Sequence, residues 1–264
     1  MAAALGNPSA GGALDRDKQG FHVPIRVVTY NVHRCLGTDG HYSTARIADV
    51  LTGIDADIIA LQELDLKRGR SGAIDQAHDI ARRLKMTHQF HPALKVLDEA
   101  YGDAVLSRYP MRLIKAAALP GFYRMEPRGA LWVEISTDEG RLQILNTHMG
   151  LLSLERRRQI NCLMGLEWLG SQRCASAVVF LGDLNARPGS FTLRQLSKRL
   201  SDVRRKASKR VPPTFPSTRP FLRLDHIFVS ADVHVAGAFV VADAAARLAS
   251  DHLPLCADIS LAAG

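Results

Sequence analysis

The chain has 264 residues, of which 47% are apolar and 23% charged, and it carries a formal net charge of +8. This composition is typical of a globular protein and excludes a disordered chain. The longest apolar runs are about a third of the roughly 20 residues that cross a membrane, so the sequence predicts no transmembrane helix. The first residues lack a basic start and a sustained apolar stretch, so we expect 1–22 to form a disordered tail and no secretory signal.

The excess of basic residues favours a polyanionic partner such as nucleic acid, an anionic membrane surface or a phosphorylated substrate. Residues 198–210, the basic segment, hold seven Lys or Arg and one Asp. The simplest interpretation of this segment is a solvated helix end and loop, and contact with nucleic acid or lipid headgroups is the alternative. The four cysteines have no zinc spacing and no CxxC pair. They therefore predict reduced, mostly buried thiols in a cytoplasmic protein.

Predicted strands and helices alternate along the chain. In chain order, the hydrophobic pattern predicts a strand at 25–31, a helix at 45–54, a strand at 57–63, a helix at 73–84, strands at 103–108, 130–136 and 141–148, a helix at 153–169, a strand at 177–185, a helix at 191–200, and strands at 224–229, 233–241 and 253–260. Nine strands exceed one comfortable sheet. We therefore expect residues 23–264 to form one α/β domain of two packed sheets with helices outside.

Polar residues stand where several predicted strands begin or end. They are Asn31, Glu63, His148, Asp183, Asn185, Asp225, Asp251 and His252. Asp and Asn favour turns, so each residue taken alone has a simple structural explanation. The set is nevertheless restricted to carboxylates, amides and imidazoles, and Glu63 and Asp183 follow apolar runs that should be buried. A hard divalent cation such as Mg²⁺ is a suitable partner, because it takes oxygen ligands.

Seven short blocks occur in order along the chain. They are TYNVH (29–33), LQELD (61–65), GDAVLSRYP (102–110), NTHMG (146–150), GDLNARP (182–188), LDHIFVS (224–230) and SDHLPL (250–255). Together they resemble the endonuclease/exonuclease/phosphatase family of metal-dependent phosphoesterases over residues 25 to 260. One block alone is weak evidence, but this many in order are specific for the family, though not for the substrate. The resemblance implies a four-layer αββα sandwich of two mixed sheets, with the active site where their strand ends meet.

The resemblance also implies which residues bind the metal and the water. Glu63 is expected to be the principal ligand of Mg²⁺, for which Mn²⁺ is an alternative. Asn31 is expected to bind the metal or a phosphate oxygen beside it, and Asp251 to lie in the metal's shell. Asp183 and Asn185 are expected to position or deprotonate the attacking water, or to hold a second metal.

Four further residues are expected to act on the scissile phosphate. The resemblance places His252 against the phosphate, with Asp225 holding its ring in one tautomer. It matches His148 to a histidine of the nuclease and sphingomyelinase branches, and Arg128 to a position that often touches the phosphate. Our hypothesis is that His148 and His252 approach the phosphate from different sides. The sequence does not say which histidine donates a proton to the leaving oxygen, and His148 is the favoured choice.

Three residues are predicted to line the substrate cleft. His33 stands two residues after Asn31 and can face the same way, because alternate residues of a strand share a face. Thr214 and Phe215 belong to a TFP segment that is similar to a subgroup of small bacterial members. In that position they would form a wall of the cleft, and a proline-stiffened connection is an equally good explanation.

The sequence thus predicts a Mg²⁺-dependent phosphodiesterase, in which the metal and cationic side chains offset the charge of the transition state. Basic charge favours nucleic acid as the substrate, and the TFP segment favours a phospholipid or another small diester. The basic charge also allows peripheral contact with anionic surfaces. The alternative is a non-catalytic phosphate- or nucleic-acid-binding module, which is disfavoured because every expected catalytic position is filled. The chain has no G-x-S-x-G elbow and no P-loop, so acyl transfer and ATP hydrolysis have no support.

Overall fold

The computed structural model of the chain describes residues 24–175 and 177–262, and the predicted tail at 1–22 lies outside them. The described strands are β1 (Ile25–Asn31), β2 (Ile58–Leu66), β3 (Thr87–Val96), β4 (Glu99–Ser107), β5 (Met111–Ala118), β6 (Gly129–Thr137), β7 (Gly140–Thr147), β8 (Val178–Asp183), β9 (Ser201–Asp202), β10 (Asp225–Val229), β11 (Val233–Val240) and β12 (Leu255–Leu261). The described helices are α1 (Thr44–Ile54), α2 (Gln76–Leu84), α3 (Ser153–Leu163), α4 (Phe191–Leu196), α5 (Val203–Lys206) and α6 (Ala244–Ala249).

The strands form two mixed sheets of six strands each. The first sheet has the order β11-β12-β1-β2-β4-β3, and the second has the order β5-β6-β7-β8-β10-β9. Each sheet contains one parallel pair, β1 with β2 and β7 with β8, and its other neighbours are antiparallel. The carboxyl ends of parallel strands meet at one edge of a sheet. The edge formed by β1 and β2 therefore carries Asn31 and the residues around Glu63. The edge formed by β7 and β8 carries Asp183 and the residues around His148.

Three hydrophobic clusters separate four layers. The first cluster lies between the sheets and includes Val27 and Val179. The second packs Ile47 of α1 and Ile80 of α2 against the first sheet. The third packs α3, through Ile160, and α4 against the second sheet. Both sheets are thus covered on both faces, which explains the near-continuous apolar strands and confirms the predicted helix–sheet–sheet–helix sandwich.

The prediction of nine strands was wrong for the edges of the sheets. Strands β3 and β5 and the two-residue strand β9 were not predicted, and each lies at the end of its sheet. All three are largely half-buried or exposed along their length, and β3 contains Pro92 at a shift of register. Edge strands tolerate polar residues and proline, so their hydrophobic alternation is weak. Helix α3 ends at Leu163 rather than at 169, and two glycines, Gly165 and Gly170, follow in the turns beyond it.

Strand β2 contains a β-bulge that is stabilised by hydrogen bonds from a side chain of the other sheet. The register of β2 against β4 shifts between Leu61 and Leu64, and Glu63 within the bulge has a left-handed φ of 61°. Such a conformation costs a non-glycine residue about 1–3 kcal/mol. The side-chain amide of Asn146, from β7, donates to the carbonyl oxygens of Leu61 at 3.0 Å and Ala104 at 2.9 Å. The Asn146 side chain thus pairs two backbone carbonyl groups next to the bulge and links the two sheets close to Glu63.

Two further predictions concern the membrane and the cysteines. Among residues 24–175 and 177–262, no helix has the length and apolar character that crossing a membrane requires. All four cysteines are free thiols, and Cys35, Cys174 and Cys256 are buried. The prediction of unpaired, mostly buried thiols is therefore confirmed.

Candidate active site

The strand ends of the two sheets bring the predicted residues together. Ten of the twelve are linked by side-chain contacts into one cluster: Asn31, Glu63, Arg128, His148, Asp183, Asn185, Thr214, Phe215, Asp225 and His252. His33 and Asp251 form a pair at one margin. The cluster joins residues from both sheets, as expected for a site at the junction of their edges.

Asp183, the last residue of β8, lies at the centre of this cluster. Its Oδ2 lies 3.1 Å from Asn31 Nδ2, 3.4 Å from His148 Nε2 and 3.6 Å from His252 Nε2. The backbone N–H of Asn185 donates to its Oδ1 at 3.0 Å. The side chain is 2% exposed, and burial raises the pKa of Asp183 to about 6 although the nearby His252 lowers it. Asp183 is thus a buried acceptor surrounded by donors.

His252 is held in its charged form by two carboxylates. Its Nδ1 lies 2.9 Å from Asp225 Oδ2, and the hydroxyl of Thr214 donates to the same oxygen at 2.5 Å. Burial disfavours a charged imidazole, but Asp225 and Asp183 outweigh it and raise the pKa of His252 to about 10. The ring of Phe215 lies against the imidazole with 4.7 Å between centroids. His252 therefore carries protons on both nitrogens at neutral pH, with Nε2 directed toward Asp183.

His148 has the opposite protonation state. Nη1 of Arg128 lies 2.9 Å from its Nδ1, and because a guanidinium can only donate, Nδ1 must accept. Burial, together with the charges of Arg128 and His252, holds the pKa of His148 well below its usual range. His148 is therefore neutral, with its proton on Nε2, and this N–H faces the acceptor Asp183 Oδ2, which lies 3.4 Å from Nε2. In this state His148 can donate to a phosphate oxygen but cannot take a proton from water at Nε2.

The donor atoms of the cluster fit a divalent cation. The amide of Asn31 donates to Glu63 Oε1 at 2.9 Å and to Asp183 Oδ2 at 3.1 Å, so two carboxylates converge on this side chain. Within the described residues, ligand atoms of Asp183, Asp225 and His252 also lie within 4.8 Å of one another. Carboxylate oxygens suit a hard cation such as Mg²⁺, and His252, which is protonated on both nitrogens, is not available as a ligand.

His33 and Asp251 lie beside Asn31. The backbone N–H of His33 donates to Asn31 Oδ1 at 3.0 Å, and His33 Nδ1 lies 3.7 Å from Asp251 Oδ1. His33, Arg34 and Cys35 have φ values of 45°, 58° and 58°, a left-handed run that is costly for residues with a Cβ atom. This turn places the imidazole against Asp251. The position of Asp251 in a metal shell stays a prediction.

Sequence reasoning missed two acidic residues of the site. Asp103, in β4, is 4% exposed and accepts a hydrogen bond from the backbone N–H of Glu63 at 3.4 Å. Burial raises the pKa of Asp103 to about 7, although Arg128 opposes this shift. Glu126 forms an ion pair with Arg128 at 2.7 Å. An acid directly before the apolar run Ala104–Leu106 was the available signal for Asp103, whereas Glu126 gave none.

Comparison with known proteins establishes the family. The sequence matches the model of the Endonuclease/Exonuclease/phosphatase family over residues 28–252. The chain belongs to this family. It is 26% identical over 255 aligned residues to YbhP of Escherichia coli K12, a protein described as uncharacterised, and the match covers 90% of this chain and 96% of YbhP.

Solved structures agree with the fold of this family member. The mannosyl-6-phosphatase of Bacteroides thetaiotaomicron superposes with a TM-score of 0.74 at 21% identity, covering 90% of this chain and 100% of that one. The catalytic domain of human Nocturnin, solved with a bound sulfate anion, superposes with a TM-score of 0.70 at 20% identity, covering 91% and 94%. At such identities the likeness establishes the fold alone. The predicted resemblance to a TFP subgroup stays a prediction.

Proposed function

We propose that this protein is a Mg²⁺-dependent phosphodiesterase, with Mn²⁺ as an alternative metal, that hydrolyses its substrate by attack of water. The observation that carries the proposal is the arrangement of groups around Asp183. A buried carboxylate lies between a neutral histidine, His148, and a charged one, His252. A carboxylate acceptor with a neutral donor at 3.4 Å and a charged donor at 3.6 Å provides the groups that hydrolysis of a phosphate ester requires.

Glu63 and Asn31 would hold the metal, with Asp251 in its shell. A bound divalent cation supplies positive charge against the negative charge that develops on the phosphate oxygens. The Nε2–H of His148, whose ring Nδ1 lies 3.9 Å from Glu63 Oε1, and the guanidinium of Arg128 would donate to the same phosphate. These donors are fixed before substrate arrives, because Arg128 already holds the His148 ring at 2.9 Å.

Asp183 is the group that would take the proton of the attacking water. Both histidines carry hydrogen on Nε2, whereas the carboxylate of Asp183 accepts, and with a pKa of about 6 it is ionised at neutral pH. Asn185 would orient that water through its side-chain amide. His252, which is charged, would donate to the leaving oxygen. This assignment reverses the preference for His148 that the sequence suggested, and substrates with different leaving groups distinguish the two assignments.

Metal removal separates an enzyme from a binding module. We expect the protein to release p-nitrophenol from bis-p-nitrophenyl phosphate with Mg²⁺ present, to stop when EDTA is added, and to resume when Mg²⁺ is restored in excess. Asp183→Asn is the inactive control for residual hydrolysis, since it keeps the shape of the side chain but removes the acceptor charge. Phosphate binding without turnover in either Mg²⁺ or Mn²⁺ would favour the non-catalytic module.

Exposed leucines beside the site favour a phospholipid as the substrate. Leu151, Leu152 and Leu154 are 64%, 48% and 56% exposed. Leu151 stands three residues after His148, so their Cα atoms are separated by at most about 11 Å. Neighbouring exposed leucines cost hydration free energy unless an apolar surface covers them. A lipid aggregate offers such a surface, and its anionic headgroups suit a chain with a net charge of +8.

Substitution of these leucines tests the choice of substrate. Burying one leucine contributes about 1.5–3 kcal/mol, so Leu151→Ser with Leu152→Ser should lower hydrolysis of phosphatidylglycerol vesicles by at least about tenfold. Hydrolysis of bis-p-nitrophenyl phosphate should not change. Leu166→Ser is the matched control, because Leu166 is 85% exposed and lies beyond α3. Equal losses on both substrates, or full vesicle activity in the double variant, would instead favour nucleic acid as the substrate.

A further inference from the structure

A basic pocket lies on the outer side of the second sheet, where the end of the GDLNARP block approaches α4, α5 and β10. It has a volume of about 630 Å³. Its charged lining consists of five cations and one carboxylate: Arg194, Lys198, Arg204, Arg205, Arg223 and Asp202. Leu193 and Phe228 form apolar parts of the wall. Only part of the basic segment contributes, because Lys209 and Arg210 are exposed and do not line the pocket.

Strand β10 separates the basic pocket from the active site. Neighbouring residues of a strand point to opposite faces. Asp225 therefore faces His252, whereas His226 faces outward and lines the pocket. Nε2 of His226 lies 2.9 Å from the carbonyl oxygen of Ala186. Its Nδ1 is buried without a hydrogen-bond partner among the described residues and lies 3.8 Å from Asp202 Oδ2. The pocket thus has its own polar wall, behind the catalytic strand.

Two of the five cations have structural roles. Nη1 of Arg204 donates to the carbonyl oxygen of Asp225 at 2.7 Å. This oxygen is open because β9 pairs with β10 only at Phe228 and Val229. Arg194 donates to the carbonyl oxygen of Gly189. These two arginines stabilise the walls of the pocket through backbone carbonyl groups.

The other three cations have no such role. Within residues 24–175 and 177–262, the side chains of Lys198, Arg205 and Arg223 make no hydrogen bond and no ion pair. Arg223 is close enough to Arg204 for its charge to oppose the charge of that guanidinium. Like charges gathered around a concave wall repel one another, and an anion between them removes this cost. The pocket is therefore arranged for a ligand that carries negative charge.

We infer that the basic pocket binds a small, multiply phosphorylated anion at a place distinct from the catalytic centre. Its volume falls within the range of about 300–1,000 Å³ that small-molecule sites occupy. Guanidinium groups match the oxygens of a phosphate with paired N–H donors. A concave pocket beside uninvolved basic residues favours a compact ligand over a polymer, because a nucleic acid would follow a continuous track of charges along the basic segment.

Pyrophosphate titration by calorimetry, in EDTA without metal, tests this inference. Arg205→Ala with Arg223→Ala should weaken binding by at least about tenfold, since charge-assisted hydrogen bonds to phosphate are lost. Lys209→Ala with Arg210→Ala removes the same charge from exposed positions outside the pocket, and binding should change by less than about twofold. His252→Ala should leave pyrophosphate binding in place. If the alanine pair fails to fold, Arg205→Gln with Arg223→Gln removes the same charges with less loss of volume.

Three outcomes would overturn the inference. The first is a wild-type protein that does not bind pyrophosphate at millimolar concentration. The second is an equal loss in the two double variants, which would mean that general positive charge attracts the anion. The third is a loss confined to His252→Ala, which would place pyrophosphate in the catalytic centre. A short DNA duplex titrated in parallel identifies a nucleic-acid face, since both double variants would then weaken its binding equally.

Discussion

Glu63→Gln removes Mg²⁺-supported hydrolysis of a small phosphodiester while the fold stays intact. Glu63 stands in the β2 bulge, with its Oε1 2.9 Å from Asn31 Nδ2, and glutamine keeps its shape but loses the charge that a cation needs. Stabilisation of charge by a metal amounts to several kcal/mol, so the expected loss is at least about 100-fold. The measurement is the initial rate on bis-p-nitrophenyl phosphate across a Mg²⁺ titration.

The control for this substitution is Glu167→Gln. Glu167 is an exposed carboxylate whose ion pair is with Lys115, away from the strand ends, so this variant should keep its activity. Circular dichroism and the melting temperature of Glu63→Gln should remain close to wild type, because the bulge is held by Asn146 and not by the carboxylate. Near-normal rates for Glu63→Gln at saturating Mg²⁺ would remove Glu63 from the site.

His252→Ala slows hydrolysis of an alkyl diester far more than hydrolysis of a p-nitrophenyl ester. An alkoxide needs a proton in the transition state, whereas p-nitrophenolate leaves readily without one. His252 is the charged histidine, because Asp225 and Asp183 together raise its pKa to about 10. Loss of a general acid costs roughly 10²–10⁴-fold in rate. The full loss should appear with the alkyl substrate and only a small part of it with the p-nitrophenyl ester.

His148→Ala should lower both rates by a similar factor. A neutral imidazole that donates from Nε2 stabilises phosphate charge whatever the leaving group, and Arg128 keeps it in that tautomer. A loss that is larger for the alkyl diester in His148→Ala than in His252→Ala would restore the assignment that the sequence favoured. Near-normal rates on both substrates for both variants would contradict any mechanism that relies on two histidines.

The central strands could be predicted from the sequence because burial on both faces requires a run of consecutive apolar residues. In β1, Val27 faces the other sheet and Val28 faces the helices, so the strand reads as a continuous apolar run. The edge strands β3 and β5 have a weaker hydrophobic pattern, since part of each strand is exposed to solvent. The short blocks around Glu63 and Asp183 likewise identified the family from residues that are neighbours in the chain.

The sequence by itself therefore determined the family, the layers and the residue types at the site. The tertiary structure decided which histidine is charged, because the answer depends on Arg128 beside His148 and on Asp225 beside His252. It also revealed that Asp103 accepts a hydrogen bond from the backbone of Glu63, and that a basic pocket lies on the face of β10 opposite the active site. Protonation and pocket shape depend on distances between residues that are far apart in sequence. Short-range periodicity and motifs do not encode those distances, so only the folded chain defines them.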